Sequence, residues 1–152
     1  MTHPLVGNLA PDFTLKNQNE EAITLSDLRG TPVLVVFAPF AFSPLFDEEI
    51  GEIRDSGALR SAGGVRVLVV TCDSVCALAA WAEKSNYKDD LLSDYWPHGE
   101  VSRWYGIFNP RRGIAIRASF LIGGDGVVTW AVIHAPDDPR SIDDYLEAIK
   151  AL

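Results

Sequence analysis

Residues 37–46, Phe-Ala-Pro-Phe-Ala-Phe-Ser-Pro-Leu-Phe, join an apolar run to a helix start, and such a junction is where reactive groups gather. Val33, Leu34, Val35, Val36 and Phe37 form an unbroken apolar run, as in a strand covered on both faces. Ser43 suits an N-cap and Pro44 the first helical position, while Asp47, Glu48 and Glu49 complement the positive end of a helix dipole. Free backbone N–H groups converge at such a helix start and hold anions or activated thiols there. Ser43 can donate a hydrogen bond at this point, whereas Phe40, Phe42 and Phe46 carry no reactive atom. Arg117 is the second candidate. It opens the apolar stretch Ala118-Ser119-Phe120-Leu121-Ile122, and a guanidinium is costly to bury without a partner. Two expectations follow: Arg117 pairs with a carboxylate such as Glu49, or it binds an anionic or oxygen-rich ligand.

Two thiols complete the inventory. Cys76 falls in the first turn of an expected helix, where N–H groups lower a thiol's pKa, and Cys72 precedes it by four residues. Against a redox role, Ala77, Leu78, Ala79 and Ala80 follow and supply no base. The Cys-x-x-x-Cys spacing has no matching pair, and His3, His98 and His134 are scattered, so the four ligands of a structural zinc do not assemble. Neither a metal nor a cofactor is expected.

The spacing Pro39-x-x-x-Ser43-x-x-Phe46 resembles the Pro-x-x-x-Thr/Ser-x-x-Cys signature of peroxiredoxins, the AhpC/TSA superfamily. Ala10-Pro11-Asp12-Phe13-Thr14-Leu15, Thr24-Leu25-Ser26-Asp27-Leu28-Arg29-Gly30, Leu92-Ser93-Asp94 and Ala118-Ser119-Phe120-Leu121-Ile122 match further landmarks in the same order. Asp94-Tyr95-Trp96-Pro97-His98-Gly99 and Tyr105-Gly106-Ile107-Phe108-Asn109 are similar to the one-cysteine, AhpE-like subgroup. The resemblance spans nearly the whole chain. It implies an α/β, thioredoxin-like fold with a central mixed β-sheet flanked by helices. It also implies that Arg117 is the arginine that stabilises a thiolate and peroxide oxygens, and that the chain forms a homodimer through residues 40–45 and 74–78. One departure is decisive: Phe46 stands where the resemblance places the peroxidatic cysteine, and a phenyl ring cannot attack a peroxide.

With 152 residues, 47% of them hydrophobic, the chain is expected to be a single domain over residues 1–152. A net charge of −8 argues against nucleic acid and anionic membranes as partners. No run of 18 apolar residues exists, and Met1-Thr2-His3-Pro4-Leu5 lacks the basic and apolar regions of a signal peptide, so a cytoplasmic protein is expected.

The elements that must position these residues are legible from periodicity. Residues 33–37 and 66–71 read as buried strands, and residues 45–59 as one helix with Phe46, Ile50 and Ile53 on its inner face. Asp73 or Ser74 caps a helix whose stripe is Val75, Leu78, Ala79 and Ala82. Residues 97–106 read as a short helix closed by Gly106, with His98 capping or orienting it. Gly123-Gly124-Asp125-Gly126 turns a hairpin, and Ile142, Tyr145, Leu146 and Ile149 mark a C-terminal amphipathic helix.

Three functions compete. The first is an enzyme repurposed for a small oxygen-rich organic substrate, with Arg117 and Ser43 as catalytic groups in a pocket walled by Pro39, Phe40, Phe42, Leu45 and Phe46. The second is a non-catalytic binding or regulatory pseudo-peroxiredoxin. The third is a thiol peroxidase that relies on Cys76, with Cys72 resolving. An Arg117–Glu49 pair with Phe46 filling the space in front of it would favour the second.

Overall fold

The structure is a computed structural model and describes residues 3–152; Met1 and Thr2, which open the segment read above for a leader, lie outside the described residues. Its centre is a seven-stranded mixed sheet in the order β2-β1-β5-β4-β3-β8-β9. The strands are β1 (Thr14–Asn17), β2 (Ala22–Thr24), β3 (Val33–Phe37), β4 (Arg66–Thr71), β5 (Asp90–Ser93), β8 (Ala118–Ile122) and β9 (Val128–Ile133). A separate two-stranded ribbon pairs β6 (Phe108–Asn109) with β7 (Ile114–Ala115). β3, β4 and β5 run parallel, in register Val33 with Arg66 and Leu68 with Asp90, while β8 lies antiparallel to β3 on its other side.

The apolar run of β3 is continuous because both faces of this strand are covered. Val33, Val35 and Phe37 point into one core with Leu68, Val70, Tyr105 and Phe120. Leu34 and Val36 point into the other, with Phe46, Ile50, Val69, Trp81 and Tyr145. The two-residue alternation of a strand makes this division. The second core is roofed by α1 (Pro44–Asp55), α3 (Val75–Ser85) and α5 (Ile142–Lys150), and the first receives Val101 from α4 (Glu100–Trp104).

Several elements differ from the sequence reading. The helix expected over residues 45–59 is broken at Ser56, which takes extended backbone angles and caps α2 (Gly57–Ser61) by accepting a hydrogen bond from the Leu59 N–H at 3.1 Å. A serine N-cap followed by glycine favours a fresh start over continuation. In α3 the buried residues are Leu78, Trp81 and Ala82, whereas Ala79 faces solvent. The larger indole wins the core position, since more apolar area leaves water. Ser74, not Asp73, caps this helix through its hydroxyl, which accepts from Ala77 N–H at 3.2 Å. The short helix is Glu100–Trp104, with Gly99 as its N-cap, and the His98 carbonyl accepts from the Arg103 side chain at 2.8 Å.

Candidate functional site

The site lies where β3 hands the chain to α1. After Phe37, the Ala38 N–H still donates to Val70 C=O at 3.0 Å, so the chain leaves the sheet in line with β4. The Ala41 N–H then donates to the Asp73 carboxylate at 2.6 Å, tying this loop to the start of α3. Asp73, considered above as a cap, therefore works as a tether. Ser43 is the residue before α1, but its side chain makes no capping hydrogen bond. The Ser43 carbonyl accepts the Asp47 N–H at 2.8 Å.

Phe46 points away from solvent into the second core and is 0% exposed. Its ring centroid lies 5.5 Å from that of Trp81, and the Arg140 guanidinium sits 5.3 Å above its face. Trp81 is itself held by donating its indole N–H to Asp47 Oδ1 at 2.6 Å. Phe46 is thus packed between an indole and a cation.

One turn further along α1, Glu49 is buried and accepts from two arginines. Arg117 Nη2 donates to its Oε1, Arg140 Nε donates to its Oε2 at 2.7 Å, and the Arg140 N–H adds a contact of 3.3 Å. Carbonyls and the Ser119 hydroxyl take up further guanidinium hydrogens. Arg117 Nη1 donates to Ala135 and Asp138 C=O at 2.7 and 2.6 Å. Arg140 donates to Phe37 C=O, to Ala118 C=O at 3.0 Å and to Ser119 Oγ at 2.8 Å, and Ser119 in turn bonds the Tyr145 hydroxyl at 2.8 Å. All three charged residues are nearly inaccessible, yet two cations share one carboxylate. Such a cluster is tolerable only because so many hydrogen bonds replace hydration.

Two polar atoms beside this cluster have no partner among the described residues: Arg117 Nε and His134 Nε2. His134 is buried, with its Nδ1 3.7 Å from the Asp138 carboxylate. Burial first, and then the neighbouring Arg140 and Arg117 charges, push its pKa below the ordinary 6.5, so the imidazole is neutral at pH 7.

A cavity of about 220 Å³ opens over these groups. Pro39, Phe40 and Leu45 form one wall and Ile114 and Ile116 another. Ser43, Arg112, Arg117 and His134 give it a polar lining.

The profile of the AhpC/TSA family matches residues 6–131. The chain belongs to the AhpC/TSA family, the peroxiredoxins. It is 36% identical over 148 residues to alkyl hydroperoxide reductase E of Mycobacterium tuberculosis, covering 97% of each chain. It is 31% identical over 160 residues to the chloroplastic 2-Cys peroxiredoxin BAS1 of Hordeum vulgare, covering 98% of this chain and 75% of the other. Among solved structures, AhpC of Enterococcus faecalis superposes with a TM-score of 0.87 at 24% identity, covering 99% of this chain and 92% of that one. The fold is the thioredoxin-like α/β fold of the peroxiredoxins.

On this peroxiredoxin scaffold the expected site residues separate into groups. Pro39, Phe40, Ser43, Leu45 and Arg117 come together around the cavity. Phe42 and Phe46 do not line it, which corrects the pocket drawn from sequence. Phe42 has a positive φ of 68°, which turns its ring outward onto Trp81, 6.3 Å between centroids. Phe46 packs into the second core instead. The expected Arg117–Glu49 pair forms, but Phe46 does not stand in front of it: the space beside Arg117 is the cavity.

Cys72 lies half-buried after β4, and its thiol is pushed up to about 11, by burial first and then by the Asp94 charge. Cys76 is exposed on the first turn of α3. Burial raises Cys72 against the thiolate character a resolving cysteine needs.

Four residues were missed by sequence reasoning: Arg112, His134, Arg140 and, as a structural anchor, Asp94. Asp94 accepts from the N–H groups of Val101 and Ser102 and from the Ser102 hydroxyl at 2.8–3.1 Å, fixing α4. Its presence in the Leu-Ser-Asp landmark was a signal. Arg140 gave none, because Asp-Asp-Pro-Arg-Ser reads as a polar surface turn.

Proposed function

We propose that this protein is a pseudo-peroxiredoxin: a binding or regulatory member of the family that works without a peroxidatic thiol. The observation that carries this reading is Phe46. It stands three residues after Ser43, where the signature has its cysteine, and its phenyl ring is fully buried between Trp81 and Arg140. No thiol is present at this helix start, and the two guanidiniums beside it are engaged by Glu49 and by backbone carbonyls. The relative in Mycobacterium tuberculosis is named an alkyl hydroperoxide reductase; by this reading the present chain keeps its scaffold and not its reaction.

Stopped-flow oxidation by hydrogen peroxide tests the proposal. The wild type should react at the rate of ordinary free thiols, and Cys72→Ser/Cys76→Ser should not consume peroxide. Fast oxidation typical of a dedicated peroxidase would sink the reading, and its loss in Cys76→Ser would move the chemistry to that thiol.

One observation favours the alternative of a repurposed enzyme acting on a small oxygen-rich organic substrate. The cavity presents a neutral imidazole with an unpartnered Nε2 beside Arg117 and Ser43, so a base and an oxyanion donor share one space. Turnover lost in His134→Gln but retained in Cys72→Ser/Cys76→Ser would select this alternative.

The proposed setting is a cytoplasmic homodimer. No helix among the described residues is long and apolar enough to cross a membrane. Phe40 and Phe42 are large apolar side chains that stay exposed beside the cavity mouth, 39% and 43% accessible, and would anchor the contact through residues 40–45 and 74–78. Sedimentation equilibrium showing a monomer at micromolar concentration would reject the dimer.

A further inference from the structure

We infer that the cavity beside Arg117 binds a small organic monocarboxylate, its carboxylate facing Arg112, Arg117 and Ser43 and its hydrocarbon part lying between Phe40, Leu45, Ile114 and Ile116. The inference rests on the thiol-independent reading above and names the ligand class for the same site.

Charge is the first argument. Arg117 and Arg140 share the single carboxylate of Glu49, which leaves one positive charge in excess in a buried cluster. A buried charge without a counter-charge is unfavourable, so an anion arriving from outside gains what a resident anion would otherwise supply. Arg112 adds a second guanidinium at the cavity, and no aspartate or glutamate lines it among the described residues. This is a local reversal of sign in a chain whose net charge is −8. A singly charged ligand matches the excess of the buried cluster, while the Arg112 charge stays exposed to water at the rim.

Unsatisfied polar atoms are the second argument. Arg117 Nε is buried on a side chain that lines the cavity and has no hydrogen-bond partner among the described residues. His134 Nε2, on another lining residue that is 8% exposed, also lacks a partner among the described residues and donates to a carboxylate in the tautomer that carries its proton there. Buried polar atoms are normally satisfied, and these two sit together where a ligand would satisfy them. The Ser43 hydroxyl is also free, since it makes no capping bond to its own helix. A carboxylate is planar and accepts several charged hydrogen bonds at once, which suits a guanidinium and a hydroxyl converging from two sides.

Size and polarity are the third. A volume of about 220 Å³ is below the range of about 300–1,000 Å³ typical of sites for drug-sized ligands. It suits an acid with a short apolar body. The walls contributed by Phe40, Leu45, Ile114 and Ile116 are apolar, which disfavours a fully hydrated inorganic anion.

Isothermal titration calorimetry of the full chain with sodium hexanoate, 1-hexanol and inorganic phosphate tests the inference. Hexanoate should bind saturably and one-to-one, with 1-hexanol and phosphate each at least tenfold weaker. Arg112→Ala should weaken hexanoate at least tenfold; Arg112 is exposed, so the variant is expected to fold. Ser43→Ala should weaken it severalfold, and because the hydroxyl caps nothing, the melting temperature should be unchanged. Equal affinity for hexanoate and 1-hexanol, tighter binding of phosphate, no binding of hexanoate, or wild-type affinity in both variants would each overturn the inference. Stopped-flow peroxide oxidation on the same samples keeps the two claims apart. Slow oxidation with no hexanoate binding overturns only the ligand class, whereas fast oxidation overturns the pseudo-peroxiredoxin reading itself.

Discussion

Replacing Phe46 by alanine removes the side chain on which the functional reading turns. The ring is 0% exposed, packs on Trp81 at 5.5 Å and lies under the Arg140 guanidinium at 5.3 Å. Truncating a buried phenylalanine costs about 3–5 kcal/mol, the sum of lost transfer free energy and the cavity left behind. A desolvated cation–π contact of about 2 kcal/mol overlaps with that figure and so places the expectation in its upper half. For a chain of 152 residues, at about 2–4 °C per kcal/mol, an expectation of about 4–5 kcal/mol means the melting temperature should fall by roughly 8–20 °C. Urea unfolding followed by tryptophan fluorescence reads this directly, because Trp81 adjoins the deleted ring. The midpoint should drop at constant slope. A loss below about 1 kcal/mol would refute the reasoning, since a truncation that cheap belongs to a side chain lining open space rather than one locked in a core.

Three further outcomes are expected. Glu49→Gln leaves Arg117 and Arg140 buried without their shared anion and should destabilise by about 3–5 kcal/mol in chemical denaturation; a change near zero would show that the carbonyl acceptors alone suffice. Thiol labelling at pH 8 should be rapid at exposed Cys76 and slow at Cys72, whose pKa of about 11 leaves roughly one thiolate in a thousand; comparable rates in Cys72→Ser and Cys76→Ser would contradict this. The lowered pKa of His134 means that the unfolded chain takes up a proton before the native one as pH falls through 6.5, so stability should decrease below that pH. His134→Gln should flatten this acid-side decline, measured as melting temperature between about pH 5 and 7, and an unchanged slope would place the effect elsewhere.

The sequence by itself determined the local elements and that residue 46 carries no thiol. The apolar run of β3, the Ser43-Pro44 start of α1 and the glycine-rich turn between β8 and β9 are written in short-range chemistry, so periodicity and capping rules reach them. The identity of residue 46 as phenylalanine settles, without coordinates, that no thiolate can form there. Short strands such as β5 and the β6–β7 ribbon were not legible, because four or two residues carry too little pattern and acquire their pairing from partners far along the chain. Periodicity put Phe46 on the core stripe with Ile50 and Ile53, and the signature spacing put it in the pocket wall; only tertiary structure decided between the two. An aromatic residue in the first turn of a helix can face a pocket or a core, and here the indole of Trp81 and the guanidinium of Arg140 draw it inward. The Glu49 network was likewise half visible. Arg117 announced a need for a partner, but Arg140 lies 91 positions beyond Glu49 in a turn whose composition reads as solvated surface. A buried charge needs counter-charges in three dimensions, and sequence separation carries no record of which distant side chain will supply them.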